Sequence, residues 1–212
     1  MTKHTREKLQ EFIVIVLGVF IALAAESWWS DREQRQFERE LMEDMVAEFE
    51  ANLEILDSDI AINVEARKRL GSLQGVTDEA LFAMPDAALS EQLGPYMTWA
   101  GFDPEMGNVQ ALVESGNLGA ISDRKLRLRL ARWTGLLEKR RRVNLQAVDF
   151  QHRSVVPAIA RARADGQWSE SERRELRDLL DQLLEMHSFV LMNQRQLRDS
   201  AADILSFLDE GA

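Results

Sequence analysis

The amino-acid sequence predicts an all-α protein in which one long N-terminal helix packs against an antiparallel helical hairpin. Only four prolines and eleven glycines occur in 212 residues, so few positions interrupt a helix. Apolar residues recur every three or four positions over long stretches, which is the spacing of one helix face. No extended run alternates apolar β-branched residues with polar ones, as a half-buried strand would. The predicted architecture is therefore a helical bundle with short helices between its long ones.

Composition excludes several kinds of site. The chain has no cysteine, so disulfides, thiolate metal sites, covalent c-type haem and cysteine nucleophiles are excluded. The net charge of −10 argues against general binding of nucleic acid. That charge is segregated along the chain: residues 26–65 contain thirteen acidic side chains and three arginines, whereas residues 124–163 contain twelve basic side chains and two acidic ones. Two interpretations stay open, namely two oppositely charged helices packed together, or a basic surface for anionic lipid or another polyanion at Lys139, Arg140, Arg141 and Arg142.

The first predicted element is a transmembrane anchor over residues 11–29, preceded by a charged segment at 1–10. Fourteen apolar residues separate Glu11 from Glu26. A span needs about 20 residues to cross a hydrocarbon core of roughly 30 Å, so both carboxylates are expected at the two interfaces. Trp28 and Trp29 then occupy the level of the headgroups, where tryptophan is enriched.

Two other interpretations of this segment remain open, a cleaved secretion signal and a buried soluble helix. Ala22-Leu23-Ala24 offers a cleavage-like pattern, but Glu11 lies where signals tend to lack acids. Gly18 and Ala22 form a small-xxx-small pair, which lets two anchors approach closely. The lysines and arginine packed into the first eleven residues favour a cytoplasmic N-terminus and an external C-terminal domain.

A stalk helix is predicted over residues 30–75 as a continuation of the anchor. No Pro or Gly occurs from Ala22 to Leu70, and Gly71 and Gly75 are expected to end the helix. Its apolar stripe consists of Phe37, Leu41, Met45, Phe49, Leu53, Leu56, Ile60 and Val64.

Residues 76–122 are predicted to form short helices and an aromatic loop. Thr77 is expected to cap one helix, and Pro85 to open another. The loop contains Tyr96, Trp99 and Phe102 among glycines and prolines. These aromatic residues either line a ligand pocket or cover the open end of the bundle.

Residues 123–212 are predicted to form the long antiparallel hairpin. Gly116 suits a left-handed position after a helix, and Ser122 or Asp123 caps the next one. Pro157 should kink or split that helix, whereas Ser169 and Glu172 form a capping box for the last. The expected inward residues of the last helix are Leu176, Leu180, Leu183, Val190, Leu197, Ile204 and Leu208.

The sequence contains no catalytic signature and no predicted cofactor. It lacks phosphate-binding glycine loops, the H-E-x-x-H pattern and a nucleophile elbow. His152 and His187 fall on or near apolar stripes of the hairpin, too far apart along it to bind one metal ion together. Core or boundary histidines are the expectation for both. Glu11 and Glu26 are the most notable acids because ionisable groups near a membrane are functional candidates.

Two sequence blocks resemble a family of uncharacterised bacterial inner-membrane proteins with one N-terminal transmembrane helix. The first block is Glu11, Gly18, Ile21-Ala22-Leu23 and Trp28 or Trp29. The second block is Ala111-Leu112, Ser115-Gly116-Asn117-Leu118, Ile121, Asp123 and Leu126-Arg127. Members commonly carry an Asn-Asn pair where this chain has Glu26-Ser27. The resemblance implies a bacterial inner-membrane protein with one N-terminal span, and it implies no known activity. With the orientation that the basic residues favour, the C-terminal domain is expected to be periplasmic.

The sequence thus favours a non-enzymatic, membrane-anchored interaction or scaffold protein. Its expected partners are the lipid bilayer and either further copies of itself or another membrane protein. One alternative is a domain that senses or binds a small ligand through the aromatic loop at 96–106. An enzyme of unrecognised type is the second alternative.

Overall fold

The computed structural model describes residues 3–93, 101–158, 160 and 167–211, and within them every regular element is helical and no strand occurs. The side chains of 3–11, 13, 14, 90 and 211 lie outside this description. The elements, in chain order, are α1 (Lys3–Gln74), α2 (Asp78–Ala83), α3 (Asp86–Leu93), α4 (Gly107–Glu114), a 3₁₀ turn (Asn117–Ala120), α5 (Arg124–Phe150), a π-helical turn (Gln151–Val155) and α6 (Glu170–Gly211). The predicted all-α class is confirmed.

Three long helices form the bundle, and α6 packs against both others. Side chains of α1 and α6 are joined in opposite chain order: Asn63 Nδ2 donates to Gln194 Oε1 at 2.9 Å, whereas Gln74 Nε2 donates to Asp181 Oδ1 at 3.1 Å. The two helices are therefore antiparallel. An ion pair between Arg129 Nε and Asp203 Oδ2, at 2.9 Å, joins the start of α5 to the end of α6. The predicted hairpin and the stalk lying against it are thus both present.

The first half of α1 projects beyond the bundle. This helix has 72 residues, and the first buried position among its described side chains is Leu41. Glu38 accepts hydrogen bonds from the Ser122 backbone N–H (2.6 Å) and hydroxyl (2.8 Å), which fixes the start of α5 beside this point. The described side chains before Leu41 are almost all exposed, including the nonpolar residues that follow Glu11.

The predicted membrane anchor finds no support in the described residues. Among them, no helix reaches both the length and the apolar character that a membrane span requires. The side chains of Glu11, Ile13 and Val14, within the predicted anchor, lie outside those described.

The short elements begin and end where the local sequence predicts. Asp123 Oδ1 accepts hydrogen bonds from the N–H groups of Lys125 (2.5 Å) and Leu126 (3.0 Å), so it caps α5. Gly116 has a φ of 68°, the left-handed region that glycine adopts without strain. Ser169 N–H donates to Glu172 Oε2 at 2.8 Å, and the Glu172 N–H donates to the Ser169 hydroxyl at 3.3 Å. This reciprocal pair is the predicted capping box.

The apolar core consists of two large clusters with a polar zone between them. The cluster near the projecting part of α1 is centred on Trp133, with Phe49, Leu130 and Ile204 around it. The cluster at the far end joins the α2 and α3 segment to the hairpin. Between the two large clusters lie a small apolar cluster of Val143, Ala147 and Val190 and several buried polar side chains, namely Asn63, Arg140, His187, Asn193 and Gln194.

One part of the stalk prediction is wrong. Phe37 and Val64, which the sequence places in the apolar stripe, are 48% and 40% exposed. The buried residues of α1 are spaced alternately three and four positions apart, which keeps them on one face of the helix. The predicted stripe advances mainly in steps of four, so it gradually leaves that face. Polar Asn52 and Asn63 occupy core positions on that face, where each is fully buried.

Two arginines of α6 hold the far end of the bundle together. Arg173 is 7% exposed, and its guanidinium donates to the backbone oxygens of Leu81 (2.6 Å) and Met84 (2.9 Å). Arg177 donates to the backbone oxygens of Gln74 (2.6 Å) and Val76 (2.5 Å). These carbonyls lie at or just beyond the ends of α1 and α2, where backbone oxygens lack a full set of intrahelical partners; the Leu81 oxygen also accepts from the Met84 N–H at 3.4 Å. The two arginines therefore attach the α1–α2–α3 connections to α6.

Candidate ligand-binding site

A cavity of about 730 Å³ lies between the loop at 101–106, α4 and α5. This volume is within the range typical of small-molecule sites. The loop contributes Phe102, Asp103, Pro104 and Met106, whereas α4 contributes Gln110, Val113 and Glu114. The α5 wall consists of Ala131, Thr134, Gly135, Leu137, Glu138, Arg140, Arg141 and Asn144.

A buried asparagine of α1 fixes the loop. The Asn52 side chain donates to the Glu105 backbone oxygen at 2.7 Å and accepts from the Glu105 N–H at 2.9 Å. Asn52 itself is fully buried. The amide therefore replaces the backbone partners that an irregular loop lacks, and it sets the distance of this cavity wall from the bundle.

The neighbouring residue Glu48 fixes the start of α4. Its Oε2 accepts a hydrogen bond from the Asn108 N–H at 2.8 Å, at a helix end where anionic groups are favoured. Burial raises the pKa of the Glu48 carboxyl, while hydrogen bonds from Asn108 and Val109 oppose that rise. The loop and α4 are thus both positioned by α1, through two side chains on one turn.

An aromatic cluster lies beneath the cavity. The Trp133 ring meets Phe49 edge to face, with centroids 5.3 Å apart, and meets Phe102 in the same manner at 6.3 Å. Phe102 is half-buried and also lines the cavity. The cluster joins one cavity wall to the largest buried side chain of the core.

A single buried cation lines the cavity. Arg140 is 3% exposed, although it belongs to a run of four basic residues. Its neighbours in that run lie nearer to solvent: Lys139 donates to Gln196 on α6 at 3.2 Å, Arg141 is exposed at the rim of the cavity, and Arg142 is exposed. One face of α5 therefore turns one arginine inward and leaves the others near solvent.

The structure places the remaining predicted site residues as follows. Tyr96 and Trp99 lie outside the described residues, so only Phe102 of the predicted pocket is seen at the cavity. Glu11 belongs to α1, but its side chain is not described. The other predicted anchor residues are all exposed on α1, namely Gly18, Ala22, Glu26, Trp28 and Trp29.

The two histidines of the hairpin occupy different environments. His152 is exposed, whereas His187 is 1% exposed within the polar zone of the bundle. Burial, together with the positive charge of Arg67, lowers the pKa of His187 to about 4. Within the described residues, no group of three or more potential metal ligands is close enough to hold an ion.

This histidine predicts a specific pH dependence of stability. The unfolded pKa is about 6.5 and the folded one about 4, so the unfolded chain binds the proton more readily. The contribution of the neutral His187 to the free energy of unfolding is therefore fully present above about pH 6.5. It is lost as the pH falls towards 4, because the unfolded chain takes up the proton first. We expect this group alone to lower the free energy of unfolding by about 2 kcal/mol between pH 7 and pH 5.

Urea unfolding at both pH values, on the wild type and on His187→Gln, measures this contribution. The raised pKa values of Glu48 and Asp59 act with the opposite sign, but both proteins share them. The difference between the two proteins therefore isolates the histidine. An identical pH dependence in the two proteins would contradict the prediction.

Several residues that shape this site could not be identified from the sequence alone. Asn52 and Glu48 look like ordinary polar positions of an acidic helix, and only their spacing from Met45 and Phe49 hints at a buried face. The sequence indicates the burial of Arg140 only weakly as well, because this residue lies seven positions after Trp133. Arg173 and Arg177 carry no signal beyond their four-residue spacing.

No protein-family model, curated protein or solved structure matches the chain. The resemblance to bacterial inner-membrane proteins therefore stays a prediction.

Proposed function

We propose that this chain is a non-enzymatic interaction protein that the apolar part of α1 anchors in a lipid bilayer. Its projecting helix would hold the bundle at the membrane surface, where the protein associates with further copies of itself or with another membrane protein. The sequence-based orientation, with a cytoplasmic N-terminus and an external bundle at the bacterial inner membrane, belongs to the same proposal.

The observation that carries the proposal is the exposure of large apolar side chains around the projecting helix. Each is more than half exposed, and the set consists of Phe12, Ile15, Leu17, Val19, Phe20, Ile21 and Leu23. At about 100° per residue these positions cover most of the helix circumference. A helix that is apolar on most sides is stable when lipid or protein surrounds it, whereas water disfavours such a surface.

The end of this apolar surface has the composition of a membrane interface. Trp28 and Trp29 are 57% and 67% exposed, and the Arg32 guanidinium lies 5.8 Å from the Trp28 ring centroid. Tryptophan with a neighbouring arginine suits the headgroup level. Glu38 lies nine positions after Trp29, so the bundle would begin about 14 Å further along the helix.

The remaining strip of the helix supports association between anchors. Gly18, Ala22 and Ala25 fall on the side that the large apolar residues leave open, at about 100° per residue. No atom would lie within 4 Å of a Cβ at Gly18. Small side chains let two helix backbones approach closely in a membrane.

Two arginines placed in the apolar segment test the anchor. We expect the full chain to remain with the membrane fraction after alkaline carbonate washing, and Leu17→Arg/Ile21→Arg to be released. Each arginine near the centre of a span costs about 2.5–3.5 kcal/mol, so retention should fall by roughly a hundredfold or more.

The matched control is Ser30→Arg/Gln34→Arg, which adds the same charge at the same spacing on the exposed part of α1 beyond the tryptophans. This control should stay in the membrane fraction. Equal release of both variants, or a wild type that is soluble without detergent, would overturn the anchor. The mass of the full chain in mild detergent tests the association, and a strictly monomeric protein that crosslinks to nothing would contradict it.

The cavity beside the loop favours a second candidate function, the binding of a small ligand. Its volume and its half-buried aromatic wall are the supporting observations. This function is compatible with a membrane anchor, because the cavity lies on the bundle.

A further inference from the structure

Acidic side chains form a continuous face on the outer surface of α1. From Glu40 to Ala66 this helix contains no basic residue. At about 100° per residue, three exposed acids of this stretch lie on the side opposite the buried residues Met45 and Asn52. The acidic face consists of Glu40, Glu43 and Glu50.

The first half of α5 carries a basic face. Its exposed cations lie on the side of the helix that is turned away from the buried residues Leu126 and Trp133. The only acid between Arg124 and Arg142 is Glu138, which lies at the rim of the cavity. The basic face consists of Arg124, Lys125 and Arg132.

The charges of these two faces are not paired within the described part of the chain. No ion pair joins α1 to α5 there, and no residue of either face belongs to one. The two helices form ion pairs with α6 through other residues: Asp57 of α1 pairs with Arg198, and Arg129 of α5 pairs with Asp203. Both faces therefore remain exposed to solvent.

The helices α1 and α5 run in the same direction, because each of them is antiparallel to α6. Three interactions set the register between them, and each joins residues about 81 to 84 positions apart in the sequence. They are those of Glu38 with Ser122, Phe49 with Trp133 and Asp59 with Arg140.

This register places the acidic and basic faces at the same levels along the bundle. Glu40 is level with Arg124, and the other two acids lie within about 3 Å of the levels of the other two bases. Two copies standing side by side with parallel axes would therefore bring three acids opposite three bases. Such a match over three successive positions is what a contact between copies requires.

The proposed anchor favours this parallel arrangement. α1 is unbroken from the apolar segment to the acidic face, and membrane-spanning helices tilt by only about 20° on average. Copies anchored in one bilayer therefore point in the same direction and hold their bundles at the same height. The basic face runs along the bundle axis rather than across the bilayer surface, so a second copy covers more of it than lipid headgroups would.

We propose that the acidic face of α1 in one copy binds the basic face of α5 in a second copy. The inference rests on the proposed self-association and names its surfaces. Each face carries charges of one sign, so like faces repel and unlike faces attract. The charges thus decide which surfaces of two copies meet and in which register.

Charge reversal tests the pairing on the full chain in mild detergent, with self-association measured by sedimentation. The acid variant is Glu40→Lys/Glu43→Lys/Glu50→Lys, and the base variant is Arg124→Glu/Lys125→Glu/Arg132→Glu. Each variant alone should associate about tenfold or more weakly than the wild type, because its two faces carry the same sign. An equimolar mixture of the two variants should regain association, since each then meets a partner of opposite charge.

The matched control reverses three exposed acids of α6, in Asp178→Lys/Glu185→Lys/Asp209→Lys. This variant changes the net charge as much as the acid variant does, and its association should stay within about twofold of the wild type. Salt of about 0.5 M should weaken the association of the wild type, because exposed charges are screened. Circular dichroism on heating shows whether each variant is folded.

Two introduced thiols locate the contact, since the chain has no cysteine of its own. Copies with Glu50→Cys, mixed with tagged copies with Arg132→Cys, should be joined by a short bis-maleimide into a mixed dimer. Copies with Glu50→Cys mixed with Asp178→Cys should give much less of that product. Asp178 is the suitable control because it lies near the start of α6, at the opposite end of the bundle.

The outcomes separate this inference from the function it rests on. If the wild type associates and both charge variants associate equally well, self-association stands and the pairing of the two faces is wrong. If the base variant alone loses association and the mixture does not regain it, the basic face binds something other than the acidic face, which also overturns the inference. A wild type that stays monomeric and gives no crosslinked product would overturn both the inference and the proposed self-association.

Discussion

Replacing Trp133 with alanine is expected to lower the free energy of unfolding by about 3–5 kcal/mol. This indole is fully buried at the centre of the larger apolar cluster and contacts Phe49 and Phe102 edge to face. Alanine would remove the apolar area of two fused rings and leave a cavity that rigid helices cannot close completely. Urea unfolding of the full chain in mild detergent, followed by circular dichroism, measures the loss.

An exposed apolar residue of the same helix provides the control. Leu128 lies five residues earlier in α5 and is 61% exposed, so Leu128→Ala should change stability by no more than about 0.5 kcal/mol. The Trp133 Nε1 atom has no hydrogen-bond partner among the described residues. Trp133→Phe should therefore cost less than Trp133→Ala, because it keeps an aromatic ring and removes the unpaired donor. Similar losses for Leu128→Ala and Trp133→Ala would contradict the assignment of Trp133 to the core.

The second large effect is expected at Arg173. Its methionine variant should lose about 3–5 kcal/mol, because removing one member of a buried charged network leaves the others without partners. Those partners are the Leu81 and Met84 carbonyls and the Asp86 carboxylate. The loss should be accompanied by faster amide hydrogen exchange in α2 and α3, which Arg173 attaches to α6.

The adjacent Arg174 separates this network from the general effect of losing a positive charge. Arg174 is 70% exposed and pairs with Glu170 one turn earlier on the same helix. Exposed pairs of this kind contribute little, so Arg174→Met should remain within about 0.5 kcal/mol of the wild type. If the two variants lose the same stability, the hydrogen bonds of Arg173 do not hold α2 and α3 in place.

Sequence patterns locate the helix ends well because these are decided by a few neighbouring residues. Gly116, Asp123 and the pair Ser169–Glu172 each act within one turn, so their roles follow from the local sequence. The inward face of α6 is predictable for a related reason, since apolar residues recur along it at helical spacing even though the buried His187 and Gln194 lie among them. All seven residues predicted to face inward on that helix are buried.

The buried face of α1 is less predictable because polar residues share it. A stripe traced through apolar residues alone passes over Asn52 and Asn63, and it continues to Val64, which is exposed. Asn52 is buried because it bonds to the loop at Glu105, and Asn63 because it bonds to Gln194. Both partners are far away in sequence, so no local pattern identifies these positions.

The cavity, too, depends on contacts between residues that are far apart in the sequence. The sequence names Phe102 as a pocket residue and Arg140 as a contact for polyanions, in two separate hypotheses. The structure places both on one cavity, which depends on how Asn52 and Glu48 hold the loop and α4 against the bundle. Only tertiary contacts could reveal that the arginine is buried rather than exposed to solvent.

The continuity of α1 also fixes the orientation of the bundle relative to the apolar segment. Because the helix runs from Lys3 to Gln74 without a break, the number of residues between Trp29 and Leu41 decides which way the bundle faces relative to the apolar segment. Each residue turns a helix by about 100°, so a chain shorter by one residue would present its cavity towards a different side. A chain shorter by seven residues would face within about 20° of the original direction, but closer to the apolar segment. The exposed stretch of helix between Trp29 and Leu41 therefore fixes both the distance and the orientation of the bundle relative to the apolar segment, and any change in its length alters the two together.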